Sequence, residues 1–221
     1  MILAAGFGRR MLPLTERCPK PLLQVGGKPL LEHHILNLKE AGFAELVVNA
    51  AHLSEQIETF CGDGSRWGVH IQVSIEPKPL ETAGGIIEAL PLLGNSPFAV
   101  VNGDIWCPFP FASLRSVNVR DEGAYLVLVD NPEHHPKGDF GLEGGLLIDP
   151  RGVTQALTYS GIGVYHPSLF RGLAKGPRPL KPLLDKAIQK ELVVGQHWRG
   201  VWEDVGTPKR LRRLNRQLGF T

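Results

Sequence analysis

The sequence predicts an α/β fold, a central mostly parallel sheet flanked by helices, on three observations. Short β-type runs alternate with helical patterns through the first half of the chain, and such alternation lays helices over a parallel sheet. One run, Phe98 to Asn102, is apolar enough to be buried on both faces, as a central strand is. The 221 residues are 43% hydrophobic and 21% charged, globular values that exclude a disordered or fibrous chain.

Met1 to Ala4 is a short buried strand. Pro29 to Ala41 carries Leu30, Leu31, His34, Ile35, Leu38 and Ala41 at helical spacing, with Pro29 in the first turn and Gly42 as a stop. Leu46 to Asn49 is the next strand, and Ser54 caps a helix toward Phe60. His70 to Ile75 alternates as a strand, and Gly84 to Leu90 is a short helix. The second half changes texture. Ala124 to Val129, Leu142 to Ile148 and Thr158 to Tyr165 read as strands between Pro-, Gly- and His-rich loops. Helical patterns run from Pro167 to Ala174 and from Leu180 to Ile188, and Leu192 to Trp202 supplies closing strands. Thr207 and Pro208 are a cap and a first-turn proline, opening a helix to Leu218. Its leucines at 211, 214 and 218 face inward, and Lys209, Arg210, Arg212, Arg213 and Arg216 form its solvated face. No repeat and no long linker divides the chain, so one domain over 1–221 is expected.

Composition narrows the function. A formal charge of +2 gives no global pull toward nucleic acid. Cys18, Cys61 and Cys107 are few, odd in number and far apart, which argues against a disulfide scaffold or zinc ribbon and fits a reducing compartment. The apolar start is short and is followed by Arg9 and Arg10, the reverse of a secretory signal. No apolar run approaches the ~20 residues that span a bilayer. A soluble cytoplasmic protein, monomeric or a weak homodimer, is expected.

The chemistry begins at Ala4-Ala5-Gly6-Phe7-Gly8, small residues that let backbone amides approach a ligand at the carboxyl edge of a parallel sheet. A plain glycine turn is the competing reading. It is no Rossmann fingerprint, since Met11 stands where the third glycine belongs, and no G-K-[ST] marks a P-loop. Two arginines follow the turn, and Lys20 is braced between Pro19 and Pro21. Arginine forks and a fixed ammonium suit a polyphosphate. Asp104, at the end of the most apolar strand, is placed for Mg²⁺, although Asn102-Gly103-Asp104 is also good turn chemistry. Asp204 is a second such carboxylate, or an acid at a helix N-terminus. Strand alternation makes Asp204 share its face with Trp202 and turns Glu203 away.

Leu3 to Leu23, LAAGFGRRMLPLTERCPKPLL, resembles the signature of sugar-1-phosphate nucleotidyltransferases. GGKPL at 26–30, PLETAGG at 79–85, VNGD at 101–104 and WEDVGT at 202–207 extend the match in order along nearly the whole chain. Glu81 where many relatives have glycine, the doubled Gly84-Gly85, and the loop from Asp130 to Phe140 are similar to the branch that uses N-acetylmuramic acid α-1-phosphate and UTP. Arg9 departs from the serine or threonine frequent there. The resemblance implies a Rossmann-like, mostly parallel mixed sheet of the glycosyltransferase-A-like type, without the β-helix extension of longer relatives. It divides the domain into a nucleotide-binding half, about 1–105, and a sugar-binding half, about 106–221.

By the same resemblance Arg10 sits on the leaving phosphates and Lys20 bridges the attacking and α-phosphates, while Asp104 and Asp204 hold Mg²⁺. Ala4, Ala5, Gly6, Gly8, Arg9, Glu76, Thr82, Gly84 and Gly85 join Arg10 and Lys20 around the nucleotide. Asn102, Asp139, Glu143, Ser160 and Gly161 are the candidates for the sugar phosphate. A mannose- or glucose-1-phosphate transferase using GTP, dTTP or UTP is the rival within the class, and a non-catalytic nucleotide-binding module the rival outside it.

Overall fold

A computed structural model describes residues 1–220; Thr221, the last residue of the expected domain, lies outside the described residues. In chain order it runs β1 (Ile2–Leu3), β2 (Gln24–Val25), β3 (Lys28–Pro29), α1 (Leu30–Glu40), β4 (Glu45–Ala50), α2 (Ser54–Cys61) and β5 (His70–Ile75). Then come α3 (Glu81–Leu93), β6 (Phe98–Asn102), β7 (Ile105–Trp106), β8 (Ala124–Val129), β9 (Gly141–Glu143) and β10 (Leu146–Ile148). The chain closes with β11 (Thr158–Tyr165), α4 (Lys181–Gln189), β12 (Val193–His197), β13 (Glu203–Asp204) and α5 (Pro208–Gln217).

Nine strands form one mixed sheet in the order β5-β4-β1-β6-β11-β8-β12-β10-β9. Strands β5, β4, β1 and β6 are parallel neighbours, joined by helical crossovers as the alternating sequence requires. From β6 onward β11 and β8 pair antiparallel, and β12 returns parallel to β8. Apolar residues cover both faces. Leu31, Ile35 and Leu38 of α1 and Ile57 of α2 pack on Ile2, Val48 and Val101 from one side. Ile86 and Ile87 of α3 and Leu184 of α4 pack on Val100, Leu126 and Leu128 from the other. A third cluster seats Leu211 and Leu214 of α5 on Met11, Leu23, Val25 and Leu30. That cluster ties the end of the chain to the glycine turn at its start.

Several expectations differ from the structure, beginning with Ser54, which is the first residue of α2 rather than its cap, Leu53 standing before it with no side-chain cap bond. Leu142 to Ile148 is a hairpin, β9 and β10, because Gly144 and Gly145 turn it with φ of 57° and 87°. Pro167 to Ala174 winds only one 3₁₀ turn, Pro167–Leu169. Only Val193–His197 of the 192–202 run joins the main sheet, while Glu203–Asp204 pairs separately with β7. The solvated face of α5 is incomplete: Arg210 and Arg213 reach back to Asp204 and Glu203. The three cysteines are free, and no described helix is long and apolar enough to cross a membrane.

His34 lies on the inner face of α1, 2% exposed, with both ring nitrogens lacking hydrogen-bond partners. Burial, and then the neighbouring His33, lower its pKa to about 4. The unfolded chain therefore binds a proton between pH about 6.5 and 4 that the folded chain does not, so stability is full above that window and falls on acidification through it. The loss is expected to reach about 3 kcal/mol. Urea unfolding measured from pH 7 to 4 checks this: His34→Leu should flatten the slope, and parallel slopes would refute it.

Candidate active site

The carboxyl ends of the four parallel strands meet at one edge of the sheet, where α/β proteins bind ligands. β1 delivers Ala4 there, β4 Asn49, β5 Glu76 and β6 Asn102. Asn49 brackets this edge: its Oδ1 accepts the Ala4 N–H at 2.8 Å and its Nδ2 donates to Glu76 Oε1 at 2.6 Å. Glu76 Oε2 accepts the Leu80 N–H at 2.9 Å. Burial raises the Glu76 carboxyl pKa, and the bonds from Asn49 and Leu80 oppose the shift. The bracket fixes the glycine turn against the start of α3, on either side of a cavity of about 210 Å³. Ala4, Ala5, Gly6, Glu76 and Thr82, the residues expected around a nucleotide, line it. So do Asn49, Pro79, Leu80 and Glu81, which the sequence reading did not place there. Asn49 had a visible signal, a polar residue ending an apolar strand.

Gly84 and Gly85 do not line this cavity. Both are buried within α3. A Cβ at 85 would stand 2.6 Å from Glu76 Oε1 and 2.7 Å from Asn49 Nδ2, so glycine makes room for the bracket. A Cβ at 84 would collide with the Gly176 carbonyl. Their smallness shapes the wall from behind.

A second cavity opens from the first through Gly6, Lys20 and Asp104. Gly8, Arg9 and Arg10 line it, a cationic wall beside the glycine turn. Gly8 has φ of 62°, and a Cβ there would meet Thr15 Cγ2 at 2.8 Å. Glycine lets the turn fold onto Thr15, whose hydroxyl donates to the Gly8 carbonyl at 2.9 Å. Lys20 is 8% exposed and opens a 3₁₀ turn between its two prolines. Its Nζ donates to Asp104 Oδ2 at 2.5 Å. That pair joins loop to sheet.

Asp204 is carried to the same end of the molecule by the two-residue ladder of β13 with β7. Asp204 stands opposite Ile105, and the Val205 N–H donates to the Asp104 carbonyl at 2.9 Å. Its Oδ2 lies 3.2 Å from Arg210 Nη2 and 3.3 Å from His134 Nε2. Its Oδ1 is buried without a hydrogen-bond partner, against Gly206, which lines the second cavity beside Asp104. Alternation does not separate Glu203 from Asp204. On so short a strand both line a further cavity with Trp202 and His134, and Glu203 is held there by Arg213 at 2.7 Å.

A third cavity, about 490 Å³, continues from the first through Glu81, Thr82 and Asn102. Asp139 lines it, with Oδ2 accepting the Tyr159 N–H at 2.9 Å and Oδ1 3.0 Å from His135 Nε2. Tyr159 and Lys181 complete its wall, neither foreseen from the sequence. Three sugar-site candidates lie outside it. Glu143 is exposed on edge strand β9. Ser160 is buried in a bulge of β11, its hydroxyl donating to the Val127 carbonyl at 2.7 Å and accepting the Ile162 N–H at 3.1 Å. Gly161, φ 85° in the same bulge, packs against the Asn102 side chain and so positions a residue that does line the cavity.

Comparison with known proteins matches residues 1–143 to the nucleotidyl transferase family. The chain is 48% identical to the N-acetylmuramate alpha-1-phosphate uridylyltransferase of Neisseria meningitidis serogroup B, over 99% of this chain and 97% of that protein. It is 29% identical to the mannose-1-phosphate guanyltransferase of Hypocrea jecorina over 95% of its own length, and spans 61% of that longer protein. Among solved structures, a Bacillus anthracis protein in complex with sucrose superposes with a TM-score of 0.86 at 21% identity, covering 98% of this chain and 93% of that one. HddC of Yersinia pseudotuberculosis, complexed with GMP-PN, gives 0.79 at 18% identity, covering 98% and 97%. These two likenesses concern the fold alone.

Proposed function

The chain belongs to the nucleotidyl transferase family, and on that premise we propose that it transfers a uridylyl group from UTP to N-acetylmuramic acid α-1-phosphate, giving UDP-N-acetylmuramate and pyrophosphate. Such a reaction returns a cell-wall sugar to peptidoglycan synthesis. The observation that carries the proposal is the continuity of three cavities, one against the small-residue turn, one walled by arginines and one between the start of α3 and residues of the second half. Base and ribose fit the first, the β- and γ-phosphates the second, and the sugar the third. The nucleotide-binding half is then about 1–105 and the sugar-binding half about 106–221. The near full-length likeness to the Neisseria protein supports UTP and the muramate over the GTP and mannose 1-phosphate pair.

Both reactants are polyanions, so catalysis rests on neutralising charge and aligning groups. A phosphate oxygen of the sugar attacks the α-phosphorus, forming the new P–O bond as the Pα–O–Pβ bond breaks and pyrophosphate leaves with the electron pair. The attacking phosphate is already ionised at neutral pH and needs no general base. Arg10, with Arg9 beside it, receives the charge on the leaving pyrophosphate. Lys20 turns its ammonium from Asp104 to the attacking and α-phosphates, which frees the Asp104 carboxylate.

The acids present fit Mg²⁺. The buried, partnerless Oδ1 of Asp204 is an oxygen lacking a donor, and Asp104 lies across the β7–β13 ladder from it. Mg²⁺ takes one or two carboxylates and fills its shell with water and substrate phosphate. Asp104 and Asp204 would hold it, and when bound it supplies Lewis-acid polarisation of the α-phosphate.

Pyrophosphate release across UTP, GTP and dTTP, each paired with N-acetylmuramic acid, glucose and mannose 1-phosphates, tests the assignment. The highest kcat/KM is expected for UTP with the muramate. Turnover restricted to GTP with mannose 1-phosphate would overturn it, as would nucleotide binding with no pyrophosphate from any pair.

A further inference from the structure

Four described residues other than glycine have positive φ: Leu53, Glu81, Glu122 and Glu191. Of these only Glu81 lines the cleft, and it lines both the first and the third cavities. Its φ of 61° is a conformation in which glycine is at ease and a glutamate is strained. The surroundings enforce it. The Leu80 N–H is held by Glu76 Oε2, and the Leu80 carbonyl accepts the Arg178 N–H at 2.9 Å. On the other side the Ala83 and Gly84 N–H groups both donate to the Arg178 carbonyl, at 3.1 and 3.2 Å. The Glu81 carboxylate itself is exposed and takes no part in a hydrogen bond or ion pair among the described residues. A strained backbone clamped on both sides, presenting an uncommitted side chain to a cleft, is the pattern of a ligand contact.

We infer that Glu81 is a specificity-determining residue that accepts a hydrogen bond from the donor group on the sugar phosphate nearest its phosphate, the hydroxyl or acetamido N–H at C2. This rests on the transferase reading above. A carboxylate repels phosphate and accepts only from neutral or cationic donors. On that reading the sugar in the third cavity meets the nucleotide in the first at the residues the two cavities share, Glu81, Thr82 and Asn102. The sugar substituent that reaches such a junction is the one adjacent to the anomeric carbon.

Glu81→Gly relieves the backbone and deletes the acceptor at once, so stability and activity should move in opposite directions. Its Tm should rise by about 2–4 °C. Measured with whichever pair of substrates the wild type uses best, kcat/KM should fall about tenfold or more, with the rise in KM confined to the sugar phosphate. Glu81→Gln keeps a carbonyl acceptor and should recover part of that loss. Unchanged kinetics in Glu81→Gly, a rise confined to the KM for UTP, or a loss of activity together with a lower Tm would each overturn the inference. A wrong substrate assignment shows in the wild type alone, as preference for another pair. Failure of this inference shows only in the ratio of variant to wild type.

Discussion

Asp104→Asn is expected to lower kcat by about a thousandfold or more, roughly 4 kcal/mol of transition-state stabilisation. The amide keeps the shape of the side chain and loses the charge that would hold Mg²⁺. It also loses the charge of the 2.5 Å pair that ties Lys20 to the sheet edge. Asp104 is 36% exposed at its side chain, so the fold should tolerate the change, and an unaltered near-ultraviolet circular dichroism spectrum would establish that. Turnover measured against rising Mg²⁺ is the check. Variant and wild type becoming indistinguishable at high Mg²⁺ would make Asp104 a turn residue only.

Lys20→Ala should cost about a hundredfold or more in kcat/KM, because a charge-assisted contact at the reacting phosphates disappears. Three features make this lysine unlike a surface one. It is 8% exposed, it starts a 3₁₀ turn between two prolines, and it borders both the first and the second cavities. If the contact forms only as the new bond forms, kcat carries the loss; if it also holds UTP in the ground state, KM rises too. Near wild-type turnover would remove Lys20 from the chemistry.

The parts of the site that the sequence made legible are those whose physics is local. Gly6, Gly8, Arg10 and Lys20 lie within one short stretch where small residues, forks and a braced cation sit together. Asp104 follows a strand whose apolarity announces its central place. Gly84 and Gly85 were harder, because a glycine that contacts ligand and one that makes room for a buried pair look alike in sequence. Ser160 is hard to place for a related reason: its hydroxyl fills a gap in the β11 ladder, and nothing in a row of strand residues marks a bulge. The partners of Asp204 were hidden altogether. His134 comes from a loop in the middle of the chain and Arg210 from a helix whose charges looked solvated. Lys181 reaches the third cavity only because α4 packs against the sheet there. Strand pairing was legible where βαβ alternation dictates it and lost where short hairpins follow loop chemistry.

In the proposed mechanism two carboxylates separated by 100 residues of chain, Asp104 and Asp204, serve one cation at the reacting phosphates. A crystal structure of the protein with Mg²⁺ and the UDP-sugar product measures this directly. One ion is expected, with an oxygen of each carboxylate about 2.0–2.1 Å away, the Asp204 ligand being the now partnerless Oδ1. An ion bound on Asp104 alone, with Asp204 still held only by Arg210 and His134, would contradict it.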